Sequence, residues 1–302
     1  MKINPESLEL VELDSKKPVR WSQERRLQFI DFRLQWDGRL NRSDLTSFFK
    51  ISVPQASADI GAYSAMAPGN LNYDRSSRTY LATPGFAPCY PTSGTDQYMV
   101  QLLALERGTL APAQSFIEMR PPVASVELPA RHIDQGALKI LLRAIAERGS
   151  VQASYQSITR QEPVQREISP HAFGYDGMRW HVRAYCHLRK NFRDFVLGRL
   201  LQVQAGTASA IKAQDDLEWS TLVELELVPH PDLSEAQRHG VEMDYAMQGG
   251  RVTLKCRQAM LFYTLRSLNF ELSGMPRKGS VLQLCIANLH DIRHLLPRMG
   301  QY

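Results

Sequence analysis

The sequence predicts an α+β chain of several domains, and three observations predict it. Residues 21–66 read as three helices followed at once by a polar-tipped hairpin, the order of a winged helix-turn-helix. Residues 150–206 read as short strands with tight turns, which suits a small, strongly bent β-barrel of the Sm or SH3 type. From Ser220 onward short strands and helices mix, which makes a C-terminal α+β extension. A length of 302 residues suits two or three domains of ordinary size.

The first helix is expected over 21–36, with Ser22 as its N-cap, Leu27, Ile30 and Leu34 on a broad apolar face, and Gly38 ending it. A second runs over 43–49 with Ser43 capping. The third starts at Ser52, an N-cap followed by Pro54 in the first turn, where proline is tolerated, and stops at Ala67-Pro68-Gly69. Leu71 to Leu81 then holds two short strands around a polar tip at residues 74–78. Residues 84–94, rich in Pro, Gly, Ser and Thr, read as a loop, and 96–108 and 132–148 as amphipathic helices.

Val151 to Ser157 alternates as a strand. Asp176-Gly177 marks a hairpin turn, and in the strand after it Arg179, His181, Arg183 and Tyr185 point one way while Trp180, Val182 and Ala184 point the other. Trp180, Phe195 and Leu197 are expected in the core. In the extension, 222–228 reads as a strand, 233–240 as a helix, 241–247 and 250–257 as a strand pair, 260–268 as a helix, 281–284 as a last strand and 290–297 as a last helix.

Hydrophobic content of 43% and charged content of 22% are those of a globular protein, and no apolar run reaches the length of a membrane helix. The N-terminus lacks the apolar stretch of a signal peptide, so a cytoplasmic location is expected. Cys89, Cys186, Cys256 and Cys285 are widely spaced, with no zinc-site pattern, so free thiols are expected and no cofactor or metal. The net charge of +5 is unevenly spread. Residues 16–84 hold eleven Lys/Arg against six Asp/Glu, and residues 155–204 hold eight against four, so the remainder is net acidic.

Each basic segment suits an anion. A helix that reads a major groove needs short polar side chains at its exposed N-terminal turns, and Ser52, Gln55 and Ser57 supply them. Arg75 and Arg78 at the hairpin tip, with Arg42, are placed to meet phosphate or the minor groove. Several arginines on one small sheet repel each other unless a ligand or an acidic partner neutralises them, which makes Arg179, His181 and Arg183 candidate ligand contacts or a solvated basic face.

Tyr155-Gln-Ser157, Ser169-Pro-His171, Arg179-Trp-His-Val-Arg-Ala-Tyr185 and Arg193-Asp-Phe-Val-Leu-Gly-Arg199 carry a resemblance to bacterial transcription factors of the WYL-domain family, over nearly the whole chain. Within that family the chain is similar to regulators found beside anti-phage systems of the BREX and CBASS kinds. Only the Trp of the eponymous tripeptide is present, as Trp180. The resemblance implies a winged helix-turn-helix DNA-binding domain (1–84), a helical linker region (85–149), a WYL barrel that senses a ligand (150–206) and a dimerisation extension (217–302). It implies a nucleotide or nucleic-acid effector held by Tyr155, Ser157, His171, Arg183, Arg193 and Arg199. The function expected is a ligand-responsive repressor, not an enzyme, that binds an inverted-repeat duplex operator as a homodimer. The alternative is an RNA- or single-strand-binding protein that uses the barrel as its main surface.

Overall fold

A computed structural model describes residues 18–271, 273–275 and 283–296. The chain divides into two compact units, 1–128 and 129–302.

In the first unit α1 (Pro18–Asp37), β1 (Arg39–Leu40), α2 (Arg42–Phe49), α3 (Val53–Met66), β2 (Leu71–Asp74), β3 (Thr79–Ala82) and α4 (Thr95–Glu106) follow in order. The strands form an antiparallel sheet ordered β1-β3-β2, so the hairpin is pinned to the end of α1. Phe29, Ile30, Phe32 and Leu34 are all buried, which makes α1 the central helix, contacted on more than one face. Leu45 of α2, Ile60 and Tyr63 of α3 and Leu102 of α4 close on it. Asp31 is buried with them, and four donors satisfy its carboxylate: Tyr63 Oη (2.6 Å), Ser93 Oγ (2.6 Å), Cys89 N (3.0 Å) and Tyr90 N (3.2 Å). That one side chain ties the loop after the hairpin to the central helix.

Caps explain the helix ends. Gly38 turns the chain at φ +68°, and Lys50 ends α2 in the left-handed region. The cap of α2 is Asn41 rather than Ser43: Asp44, three residues on, accepts from the Asn41 N–H at 2.7 Å, and the Asp44 N–H donates to the Asn41 carbonyl at 3.1 Å.

The second unit starts with α5 (Gln135–Glu147), capped by Asp134, whose carboxylate accepts from Ala137 N at 2.7 Å. Then come β4 (Gly149–Tyr155), β5 (Val164–Tyr175), β6 (Trp180–Cys186), β7 (Asn191–Val196) and β8 (Leu200–Ala208). They pair antiparallel in the order β7-β6-β5-β4-β8, an open sheet with β7 and β8 as its edges. Register shifts at Pro170/Ala172, Gly149/Val151 and Gln152/Ser154 mark bulges, which bend strands. Val151, Ala153, Ile168, Val182, Ala184 and Phe195 build one core with Leu141 and Ala144 of α5.

After a connector come α6 (Leu217–Ser220), β9 (Leu222–Pro229), α7 (Glu235–Asp244), β10 (Val252–Arg257), α8 (Leu261–Ser267), β11 (Leu284–Ile286) and α9 (Leu289–Ile292). The sheet runs β10-β9-β11, over Val223, Leu225, Leu227, Leu261 and Leu265. Residues 241–244 belong to a helix, not to the expected strand. Ser234 and Gln237 form a capping box that starts α7, and helical spacing then buries Val241. Val281, Leu282 and Pro297, at the ends of the last expected strand and helix, lie outside the described residues.

Trp180 departs from expectation. Phe195 and Leu197 are buried, but Trp180 is 47% exposed. It pairs with Tyr175 at the turn end of the β5–β6 hairpin, beyond the last core row, and its ring packs against that of Tyr175 at 4.9 Å.

Candidate functional site

Two elements of the first unit carry most of the candidate DNA-binding residues, the start of α3 and the β2–β3 hairpin. The Ser52 Oγ accepts from Gln55 N at 3.4 Å and opens α3, leaving Ser52, Val53, Pro54, Gln55 and Ala58 exposed while Ala56, Asp59 and Ile60 face the core. Asp59 is buried and takes Arg26 Nε at 2.6 Å and Nη2 at 3.2 Å, so the helix is clamped to α1 by a bidentate pair. Gln55 Nε2 donates to the same carboxylate at 3.1 Å, which orients an otherwise exposed amide. Ser57 is half-buried and its hydroxyl donates back to the Val53 carbonyl at 3.0 Å.

Arg42, at the start of α2, donates to Tyr80 Oη at 3.0 Å and lies over that ring, joining α2 to the hairpin. At the hairpin tip the Asp74 carboxylate gathers the N–H and hydroxyl groups of Ser76 and Ser77. Hydrogen bonds from Ser77, then Ser76, hold that carboxyl at about 2. The tip is therefore shaped, with Arg78 at φ +54°, and it leaves Arg75 and Arg78 exposed with no ion pair among the described residues.

In the second unit the eight candidate ligand residues fall into two groups. Strand register places Arg183 opposite Ala172 and Asp194, and His181 opposite Gly174 and Val196. Arg193 lies in the row of Ala184, on the other face.

The first group is internally neutralised, with Arg183 and His181 buried and His171 and Arg179 partly so. Arg183 is 2% exposed; its Nε and Nη2 donate to Asp216 at 2.7 and 2.9 Å, Nη2 to Glu218 at 2.7 Å and Nη1 to Asp194 at 3.4 Å. His171 Nε2 donates to the same Asp216 at 2.9 Å, its ring edge-on to Phe192 and Trp219. His181, also 2% exposed, donates to Asp176 at 2.9 Å, and its Nδ1 lies 3.4 Å from Tyr263 Oη, which donates to Asp194 at 3.1 Å. Arg179 donates to Asp176 at 2.9 Å.

The charges respond accordingly. Burial pushes the Asp216 carboxyl up, but the hydrogen bonds from Arg183 and His171 outweigh it and hold it at about 2. Asp176, against the same burial, is held well below the carboxylate range by His181 and Arg179. Asp194 moves the other way, because burial outweighs Arg183.

The second group is Tyr155, Ser157, Arg193 and Arg199, of which Tyr155, Ser157 and Arg199 lie at the end of β4 and in the turns after β4 and β7. Tyr155 packs edge-on to Phe195 at 5.0 Å and its Oη accepts from Val196 N at 3.4 Å. Ser157 lies in the turn after β4 rather than in the strand, where its Oγ accepts from Thr159 N. Gln156 N donates to the Arg199 carbonyl at 3.1 Å, which joins that turn to the turn after β7. Gly198 beside it must be glycine: a Cβ there would stand 2.5 Å from the His132 carbonyl oxygen. Arg193 and Arg199 are half-buried.

Asp216, Glu218 and Tyr263 are absent from the residues singled out by sequence. The signal for the first two was present: Asp215-Asp216-Leu-Glu218 is an acidic cluster placed soon after the last strand of a basic sheet. Among the described residues no group of His, Cys, Asp and Glu could hold a metal, and no helix is long and apolar enough to cross a membrane.

Comparison with known proteins places three family models on the chain: the BrxR transcriptional regulator winged helix-turn-helix domain at 22–104, the WYL domain at 136–205 and the BrxR C-terminal dimerization domain at 222–292. The chain is similar to the DNA-binding transcriptional repressor CapW of Stenotrophomonas maltophilia, 46% identical over 94% of this chain and 95% of that protein. The CapW repressors of Pseudomonas aeruginosa (43% identical, 93% and 94% covered) and Escherichia coli (44%, 94% and 95%) are similar over the same extent.

Proposed function

Because the chain belongs to the CapW family of WYL-domain transcriptional repressors, we propose that it is itself a ligand-responsive repressor that binds an inverted-repeat operator as a homodimer and controls a phage-defence operon. The observation that carries the DNA reading is the pairing, within one unit, of an exposed α3 N-terminus with a shaped hairpin tip bearing Arg75 and Arg78. In this reading Gln55, Ser57 and Ser52 face base edges, and Arg42, Arg75 and Arg78 contact the phosphate backbone or minor groove. A two-fold dimer built through the C-terminal domain would offer two such surfaces to two half-sites.

The sensing reading rests on the sheet of the second unit, which we take as an Sm-like barrel with Tyr155, Ser157, His171, Arg179, His181, Arg183, Arg193 and Arg199 as effector contacts. Arg183 and His171 already have a partner in Asp216. A nucleotide or nucleic-acid effector therefore acts by competition: its phosphates replace Asp216 and Glu218 on Arg183 and release the connector and α6, which carry them. Its leverage is the difference in its affinity for the closed and released forms.

A mobility-shift assay on the duplex upstream of its own coding sequence tests the DNA reading. Gln55→Ala and Arg78→Ala should each weaken binding, and unchanged binding by both would remove this surface from the account.

A further inference from the structure

One cavity of about 210 Å³ in the second unit lies where the end of α5, the bulge of β5 and the connector after β8 meet. Its lining includes Arg148, Lys212, His171, Ser169 and Ser209, and none of the residues that line it is acidic. We infer that this cavity is a binding site for a phosphate monoester that adjoins the Arg183 group through the shared His171, and that Arg148 and Lys212 supply its charge.

The polarity of the wall supports an anion. Arg148 and Lys212 make no ion pair among the described residues, unlike Arg183. Asp215, the nearest acid in sequence to Lys212, accepts from its backbone N–H at 3.0 Å. Asp216 stands behind His171 and is held by Arg183. Two cations and two hydroxyls on a concave wall without a carboxylate attract an oxyanion and offer it charge-assisted hydrogen bonds.

The hydroxyls are built in. Ser169 is buried; its Oγ lies 2.8 Å from His187 Nε2 and 2.7 Å from Ser209 Oγ, and Ser209 Oγ accepts from Ile211 N at 3.2 Å. With His187 donating to Ser169 and Ser169 to Ser209, the Ser209 hydroxyl proton is left for a ligand oxygen. The Arg148 backbone is held as the left-handed C-cap of α5, with its N–H bonding the Ala144 carbonyl, which sets where its side chain leaves the chain. Ile145, Pro170 and Ile211 supply an apolar side.

Size limits the ligand. Pockets that hold drug-sized molecules run to about 300 to 1,000 Å³, so this smaller cavity suits one phosphate with part of a sugar or base and not an extended strand. The site rests in part on the sensing reading, since the connector that forms its wall also carries Asp216.

Titration calorimetry of the full-length protein tests it, with inorganic phosphate, deoxyadenosine 5′-monophosphate, and one short oligonucleotide with and without a 5′-phosphate. The monophosphate should bind, and Arg148→Gln, Lys212→Gln and Ser209→Ala should each weaken it, the first two about tenfold. Lys139→Gln, a change of the same charge elsewhere on α5, should leave it unchanged. Tighter binding of the mononucleotide than of phosphate assigns the source to a nucleotide; preference for the 5′-phosphorylated oligonucleotide assigns it to a strand end. No binding of any probe, or equal weakening by Lys139→Gln, overturns the site. If the monophosphate binds without altering affinity for the upstream duplex, the site stands and its link to sensing falls. If an oligonucleotide alters that affinity equally in wild type and in the Arg148→Gln/Lys212→Gln double variant, and the monophosphate binds both proteins equally, sensing stands and this site falls.

Discussion

Arg183 grips Asp216 through two hydrogen bonds of 2.7 and 2.9 Å, with both side chains almost wholly shielded from water. The pair joins β6 to the connector after β8, so the basic strand is closed by its own chain. Arg183 cannot shed its charge, and a buried charge without a partner is costly. The connector is thereby fastened to the sheet, and any anion that competes for Arg183 must move it.

Asp216→Asn should destabilise the second unit by about 3 to 5 kcal/mol, because it leaves Arg183 and His171 short of a buried anion. Glu218→Gln, at a carboxylate 38% exposed, should cost less than about 1 kcal/mol. Urea unfolding followed by tryptophan fluorescence separates the two. Equal losses would mean that the pair does not fasten the connector.

Acid should release the same fastening. The Asp216 carboxyl sits at about 2 when folded against an ordinary value near 3.8, so the unfolded chain binds more protons between those values and stability rises with pH there. Its contribution, about 2 kcal/mol, is complete above roughly pH 5 and is lost as pH falls through the folded value. Asp216→Asn should flatten that part of the stability profile measured by denaturant titration at stepped pH; an unchanged slope would assign acid sensitivity elsewhere.

Asp31→Ala should destabilise the first unit by about 3 kcal/mol or more, since two hydroxyls and two backbone N–H groups lose a buried charged acceptor. The local signature is specific: amide exchange at Cys89 and Tyr90 should accelerate ahead of exchange in α3. Protection that falls uniformly would deny Asp31 its role as the tie between α1 and the loop.

Much of the first unit was legible because local chemistry decides it. Ser52 and Pro54 set the start of α3, Gly38 the end of α1, and Asp74 to Arg78 the hairpin tip. Ser43 misled because two residues two positions apart could cap, and the choice went to Asn41 through Asp44. In the second unit the alternation of β6 was read correctly, but alternation sets the face and not what covers it. Arg183 and His181 look solvated in sequence, and their partners Asp216, Glu218 and Tyr263 lie 33 or more positions away. Trp180 has the parity of the core face, and only its place at a hairpin end exposes it.

Arg75→Ala and Arg78→Ala should each weaken duplex binding at all sequences alike and reduce the slope of log affinity against log salt by about 1, the mark of one phosphate contact. Gln55→Ala should instead narrow the gap between the upstream duplex and an unrelated one. Fluorescence anisotropy at stepped salt gives both quantities, and salt slopes equal to wild type would remove the hairpin tip from the interface.

The central claim is that the winged helix of the first unit, and not the sheet of the second, is the main nucleic-acid surface. It is tested most directly by measuring affinity for the upstream duplex, for its separated strands and for an unrelated duplex in one buffer, with wild type and Gln55→Ala. The account predicts that wild type binds the duplex at least about a thousandfold more tightly than unrelated duplex, that it prefers the duplex to either strand, and that Gln55→Ala narrows the preference for the upstream sequence. Single strands bound as tightly as the duplex, with Gln55→Ala indistinguishable from wild type, would contradict it.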